Sequence, residues 1–500
     1  MAAAFGLHFG STSGCLAVYK DGKTNVVAND AGDRTTPAIV AFTDHDQNVG
    51  LAAKQGLIRN AANTICNVKQ IVGCKYDDPA VAEMMANSKL KILDVGGKPV
   101  FEVKVKDKLT KFTPKQIITM IYKDLLDTAA RHGEGDIHDT VMAVPPGFTD
   151  EQLSEMCECA KAAGFNILRV ISEGAAAALA YDIGQIDTHD YSNVVVYRLG
   201  GTSLDITLLN VNHGMYRIIS THEDKTLGGA AFTDVLVDHF ADDYKRKWRS
   251  DIRENLRSKF KMRAAAENCK HILARMGTAS SFIESLHEGV DYNCQVTRAR
   301  FDGLCTPLVQ RCLEPLARCL AEAGLKKEDI HKVVVCGGTM KVQCLQKHIS
   351  DYFANAEILS SIPPDEVIAI GAAKEAAILT GNEDDAKLAE KETTLDCLSR
   401  GVQVKIRGEK QQVFVPLTPI PAHRHIKVTL CDEEMSLYFE VLEGSGKSDE
   451  SRLLAKVYLD ELPTCSEAVI VFHLKKEGSL HVTCSEKMSG RSESIMIGIS

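Results

Sequence analysis

The chain of 500 residues is 45% hydrophobic and 25% charged, the make-up of a globular protein with room for several cores. A net charge of −9 argues against a dominant nucleic-acid role, and no stretch approaches the roughly 20 apolar residues of a membrane span. Sixteen scattered cysteines follow an N-terminus, Met1-Ala2-Ala3-Ala4, that lacks a signal-peptide pattern, so reduced thiols in the cytosol are expected.

Strand and helix patterns alternate over the first ~380 residues, which predicts an α/β architecture. Strands are expected near residues 4–9, 15–20, 25–29 and 38–43. The first two flank Gly10-Ser11-Thr12-Ser13-Gly14, a turn able to offer N–H groups and hydroxyls to a phosphate. Hydrolysis at such a turn also needs a carboxylate beside it, to hold Mg²⁺ or a water. That position is His8.

Lys69 lies in a helix-like stretch, Asn63 to Gln70, either neutralising a phosphate or solvated. Thr113-Pro114-Lys115-Gln116 opens a helix with an N-cap, a proline at the first helical position and a capping-box glutamine. A strand at 141–144, a helix from Thr149 to Ala163 closed by Gly164, and a strand at 167–171 follow. Cys157 and Cys159 diverge on that helix and read as ordinary thiols rather than metal ligands. Glu173 then begins an alanine-rich helix to Tyr181, as a water-positioning group or as a first-turn acid favoured by the dipole.

Residues 193–209 repeat the opening pattern: a strand, Gly200-Gly201-Thr202-Ser203, and a second strand. Arg198 precedes Gly200 by two, as His8 precedes Gly10. The pair suggests a duplicated fold with nucleotide held between its halves. Gly228 and Gly229 open a helix whose N–H groups suit a phosphate, or simply make a turn. Glu267, Lys270 and His271 lie on a helix from Met262 to Arg275, able to bind a ribose and stack on a base, or merely solvated. A buried strand, 333–336, ends at Gly337-Gly338-Thr339, where a base can approach the backbone. Pro364-Asp365-Glu366 then leads to a helix around Gly371.

After Leu379 the composition becomes charged and linker-like. From about Gly401 short strands repeat, with alternation at Leu437, Phe439 and Val441 and at Ile495, Ile497 and Ile499. Turn signals fall at Pro419-Ile420-Pro421, Glu443-Gly444-Ser445-Gly446 and Lys476-Glu477-Gly478. A compact β-sandwich or barrel is expected there.

Together with Asn29-Asp30-Ala31-Gly32-Asp33-Arg34-Thr35-Thr36-Pro37, Ala162-Ala163-Gly164-Phe165-Asn166 and Pro364-Asp365-Glu366-Val367, these motifs resemble the seventy-kilodalton heat-shock chaperone family of the actin-like ATPase superfamily. The resemblance runs from residue 4 to the end. It implies an actin-like nucleotide-binding domain of the duplicated ribonuclease H-like type over 1–382, a linker at 383–398, and a truncated β-sandwich substrate-binding-like domain over 399–500, without the helical lid.

By the same resemblance Gly10, Ser11 and Thr12 match the first phosphate loop, and Gly200, Gly201 and Ser203 the second. Lys69 matches the catalytic lysine and Glu173 the coupling glutamate. Gly228, Gly229, Glu267, Lys270, His271, Gly337, Gly338, Thr339, Lys341 and Asp365 fall in the nucleotide-contacting segments. ATP is the implied cofactor, with Mg²⁺ left open and no protein metal site expected. Chaperones of the family carry aspartates at the positions of His8 and Arg198, a proline at that of Gly174, and arginines at those of His271 and Lys341.

Within the family the chain is most similar to an atypical branch that forms a stable heterodimer with a ribosome-bound J-domain protein of the zuotin type. The implied partners are that protein, the ribosome through it, and nascent polypeptides, with no membrane and no direct nucleic-acid contact. The expectation is a cytosolic, partly ribosome-associated, hydrolysis-poor chaperone subunit. The alternative is a slow but active ATPase. A sugar kinase of the same superfamily fits poorly, because no carboxylate is evident to activate a substrate hydroxyl.

Overall fold

The two hairpins form, and their registers match. β1 (Ala4–Phe9) and β2 (Ser13–Lys20) run antiparallel, and Gly10 N–H donates to Ser13 O at 2.8 Å across the turn. In the second hairpin the corresponding bond, Gly200 N–H to Ser203 O, is also 2.8 Å. These observations come from a computed structural model. It describes residues 3–43, 46–106, 108–185, 191–212, 215–381, 398, 400–414, 418, 420–431, 435–444, 451–463, 466–475, 478–486 and 489–498.

In the first half, β3 (Lys23–Val26) extends the hairpin on one side, and β4 (Asp139–Val144) and β5 (Asn166–Ser172) join β1 on the other. The order is β5-β4-β1-β2-β3, with Thr36–Pro37 paired to β2. The second half repeats it. β6 (Tyr191–Leu199), β7 (Leu204–Asn212) and β8 (Met215–Asp224) are antiparallel, and β9 (Lys332–Cys336) and β10 (Glu357–Leu359) follow in parallel beyond β6. Both sheets therefore place a hairpin turn at the same point, beside a parallel crossover.

Helices join the strands in matching order. α1 (Pro114–Ala129) carries the expected capping box, Thr113 with Gln116, and α2 (Asp150–Ala163) carries a second one, Thr149 with Gln152, while Gly164 ends α2 in the left-handed region as expected. α3 (Glu173–Ala180) follows β5. In the second half α4 (Gly229–Trp248) and α5 (Leu256–Leu273) precede α6 (Arg298–Ala323), α7 (Gln343–Tyr352) and α8 (Val367–Gly381). The helix expected from Met262 begins six residues earlier, because Asn255 caps it by accepting from Ser258 N–H. The stretch around Lys69 is one 3₁₀ turn, Val68–Ile71, rather than a longer helix.

Each half has its own core: Phe5, Leu7, Ile117, Tyr122 and Phe165 in the first, and Tyr197, Ile206, Phe232, Phe240 and Leu316 in the second. A third cluster, rich in alanine, joins them through α3 and α8. Small residues are needed because the backbones nearly touch. A Cβ at Gly371 would lie 1.7 Å from Ala176 O, and one at Gly6 would lie 2.1 Å from Ala373 N.

Contacts divide the chain into two units, Met1–Ala389 and Glu390–Ser500. The second is a sandwich of two antiparallel four-stranded sheets. One contains β11 (Gly401–Ile406), β12 (Glu409–Phe414), β14 (Leu437–Gly444) and β15 (Arg452–Leu459). The other contains β13 (Ala422–Thr429), β16 (Glu467–Leu474), β17 (Ser479–Glu486) and β18 (Ser492–Gly498). Val404, Phe439 and Val457 from the first sheet and Ile470, Phe472 and Val482 from the second share its core.

The predicted alternation holds at Leu437, Phe439 and Val441. On the edge strand β18 only Ile497 reaches the core, while Ile495 is exposed and Ile499 lies outside the described residues. Most of the expected linker also lies outside them. Leu398 is buried in the sandwich core.

Candidate functional site

Glu173 is the hub of the first half's contribution. Ser172 caps α3 by accepting from Ala175 N–H at 3.1 Å, which sets the Glu173 side chain at the start of the helix. Gly174 lets α3 lie against β7, since a Cβ there would approach Thr207 Cγ2 to 2.8 Å.

Glu173 is only 2% exposed, and both of its oxygens face cations or a histidine. Oε1 lies 3.3 Å from Lys69 Nζ and 3.3 Å from His8 Nε2. Oε2 lies 2.6 Å from Arg198 Nε. Lys69 also donates to the Phe9 carbonyl and stands 5.3 Å from the Phe148 ring centroid. A solvated Lys69 is therefore ruled out: the side chain is buried in this cluster.

Arg198 is held from both sides. It bridges Glu173 to Asp205, which stands directly opposite it in the β6–β7 register. Ser203 Oγ donates to Asp205 Oδ2 at 2.9 Å and accepts from Arg198 Nη1 at 3.3 Å. Two full cations thus face two carboxylates, and His8 adds no charge. Burial pushes the His8 imidazole below its ordinary value and outweighs the pull of Glu173, leaving the ring neutral near pH 7. Burial alone would raise the Glu173 carboxyl. Arg198, then Lys69 and His8, hold it well below the usual range instead.

Residues from α4 and α5 form a second cluster. Lys270 Nζ donates to Gly229 O at 2.8 Å and to Thr233 Oγ1 at 2.9 Å, and lies 2.7 Å from Glu267. His271 Nε2 is 3.0 Å from the other Glu267 oxygen. The three predicted residues thus form one hydrogen-bonded group with Thr233.

A third cluster gathers at the end of β9. Thr339 Oγ1 donates to Gly200 O at 2.8 Å, and Lys341 Nζ pairs with Asp365 Oδ2 at 2.5 Å. Gly337 has φ +93°, and a Cβ there would sit 2.2 Å from Leu199 O. Gly338 lies close to Asp365.

The clusters are contiguous. Thr12 of the first turn touches Gly201 of the second so closely that a Cβ at Gly201 would lie 2.4 Å from Thr12 Cγ2. Gly228 abuts the backbone of Thr202, and Gly229 fits between Thr339 and Lys270. The two turns, the start of α4, Lys270 and the end of β9 are therefore neighbours.

Asp205 and Thr233 were not among the residues singled out from the sequence. Asp205 was within reach: placing the turn at Gly200-Gly201 and pairing outward sets it against Arg198. Thr233 carries no local signal, because only the crossing of α4 and α5 brings it to Lys270.

The arrangement fits ATP. Two glycine-rich turns and buried cations make a place for polyphosphate, while the Gly229 and Ala230 N–H groups at the start of α4 donate to the Gly200 and Gly201 carbonyls and so make a turn. Mg²⁺ fits poorly beside the turns, because Glu173 and Asp205 are already engaged by Lys69 and Arg198, and burial with the nearby Asp205 pushes the carboxyl of Glu223, opposite Asp205, above its ordinary value.

Comparison with known proteins finds matches along almost the whole chain. The profile of the family described as Hsp70 protein matches residues 4–500. The chain is 41% identical over 508 aligned positions to Heat shock 70 kDa protein 14 of Homo sapiens, covering 99% of each. It is 42% identical over 506 positions to Heat shock 70 kDa protein 14-B of Xenopus laevis, again covering 99% of each. With Heat shock 70 kDa protein 14 of Danio rerio it shares 41% over 511 positions, 99% of this chain and 98% of the relative.

Proposed function

The chain belongs to the Hsp70 protein family, and from that premise we propose an ATP-binding, hydrolysis-poor chaperone subunit. It pairs with a ribosome-bound J-domain protein in the cytosol and assists folding of nascent chains by a separate, catalytically competent chaperone. The observation that carries the reading is the closure of Glu173 by Arg198, Lys69 and His8.

Hydrolysis requires a carboxylate free to hold Mg²⁺ or to align a water. Glu173 and Asp205, beside the turns, have cations on their oxygens instead. Bound ATP would supply the negative charge of a triphosphate at the two turns. Ser11, Thr12 and Gly201 would hold it with backbone N–H groups, while Gly10 and Gly200, whose own N–H groups close the turns, and Gly228 and Gly229 would let it approach the backbone. Glu267, Lys270 and His271 would hold the nucleoside, and Gly337, Gly338 and Thr339 line its other side. A nucleotide held without turnover acts as a strut between the halves, which suits a constitutive heterodimer better than a cycling chaperone.

Turnover by the purified protein at saturating ATP, with and without a J-domain protein, tests this reading. The expectation is retained nucleotide with negligible release of phosphate. Turnover strongly stimulated by the J-domain protein would overturn it. Sedimentation of lysate tests the partner: the chain should co-migrate with ribosomes and carry a J-domain protein.

A slow active ATPase remains as a second reading. It is favoured by Asp365 Oδ1, which is buried without a hydrogen-bond partner while Oδ2 takes Lys341.

A further inference from the structure

The outer face of one sandwich sheet carries a row of histidines that the nucleotide site does not use. The register sets His423 of β13 opposite His473 of β16, His473 opposite His481 of β17, and His481 opposite Met496 of β18. The alternate positions, Phe472, Leu474, Leu480 and Val482, fill the core, so this row points outward. His425, two residues along β13, stands on the same face. His423, His425 and His473 are exposed, and Met496 is 67% exposed.

The chemistry of the row is distinctive. Residues directly opposite across a sheet have Cβ atoms about 4.5–5.5 Å apart. The His423 and His473 rings meet edge to face with centroids 5.8 Å apart. His481 Nε2 is buried and has no hydrogen-bond partner. A buried polar nitrogen left in that state costs about 1–3 kcal/mol. Neutral imidazole is a good ligand for late transition metals, and a thioether adds to the preference for copper.

We infer that His423, His425, His473 and His481 form a surface site for a divalent late transition-metal ion, Zn²⁺ or Cu²⁺. A His-X-His pair on one strand and a third histidine opposite it on the next can present three nitrogens to one ion at about 2.0–2.1 Å. No three ligating groups among the described residues close on a common point with the side chains as they stand. Closure requires rotation of the exposed His423, His425 and His473 side chains and of the partly buried His481. The bound ion ties the edge strand β13 to the centre of its sheet, where an open edge would otherwise offer unpaired backbone groups. His473, at the middle of the row, is the ligand that all geometries share.

The test is titration of the metal-stripped full-length protein with Zn²⁺ and, separately, Cu²⁺ against a chromophoric chelator. One site is expected. His473→Gln should weaken it by more than about tenfold, and His423→Gln should also weaken it. His132→Gln, at an exposed histidine of the other unit, should leave it unchanged. Hydrogen exchange provides a second readout, with Zn²⁺ slowing exchange along residues 422–429 in the wild type and not in His473→Gln. Absence of a site, or equal affinity in wild type and both row variants, overturns the inference. None of these readouts depends on nucleotide, so their failure leaves the chaperone reading intact.

Discussion

At the scale of single residues, His8 and Arg198 were legible as departures from what a hydrolytic phosphate site requires. Their consequence was not, because it depends on Asp205 and on the burial of Lys69. Burial lowers the His8 imidazole, so the unfolded chain takes up a proton that the folded chain refuses. Stability should therefore fall as pH drops below about 6.5, with a slope of up to about 1.4 kcal/mol per pH unit from this group. Glu173 works in a lower window. Its depressed carboxyl stabilises the fold above about pH 4.3, and that contribution is lost as pH falls further. Urea unfolding between about pH 7.5 and 5.5 should thus show a decline in the wild type that His8→Asn flattens; equal slopes would refute the assignment. Arg198→Asp is the complementary test. It sets a third carboxylate beside Glu173 and Asp205 with Lys69 as the only full positive charge, at a cost of about 3–5 kcal/mol. Mg²⁺ should raise the melting temperature of that variant and leave the wild type unchanged. ATP binding should likewise survive chelation of Mg²⁺ in the wild type and fail in the variant.

At the scale of elements, local chemistry was the most readable part of the chain. Thr113 with Gln116 and Thr149 with Gln152 announce helix starts because the capping side chains lie within four residues of one another. The start of α5 was missed because Asn255 offers only one half of such a signal. The isoleucines of β18 alternate as a buried strand should, yet an edge position leaves Ile495 outside. The role of Gly371 could not be read locally at all, since its neighbour Ala176 is almost two hundred residues away. Gly371→Ala should be severely destabilising. Its new Cβ would meet backbone that cannot rotate away, so the cost should exceed the about 1–3 kcal/mol usual for overpacking. Denaturant unfolding of the variant measures it, and a loss below about 1 kcal/mol would show that α3 and α8 can separate freely.

At the scale of the whole molecule, the duplicated sheets were legible from two matching turns, and the sandwich from its strand spacing. The closure of the cluster around Glu173 was not, since it depends on which charges meet after folding. The two units should unfold as separate transitions. Saturating ATP should raise only that of Met1–Ala389, by about 2.7 kcal/mol at a hundredfold excess over the dissociation constant. Calorimetry with and without ATP checks this, and a joint shift of both transitions would contradict it. The hairpin pair of Arg198 with Asp205 has one more consequence, for descent rather than for mechanism. Removing Arg198 leaves Glu173 and Asp205 with Lys69 as the one full cation beside them, so a single substitution that restores a metal-binding turn does so at the expense of stability. For a lineage that carries this pair the way back is uphill: a step toward ATP hydrolysis through Arg198 passes through a less stable protein unless a second residue changes with it.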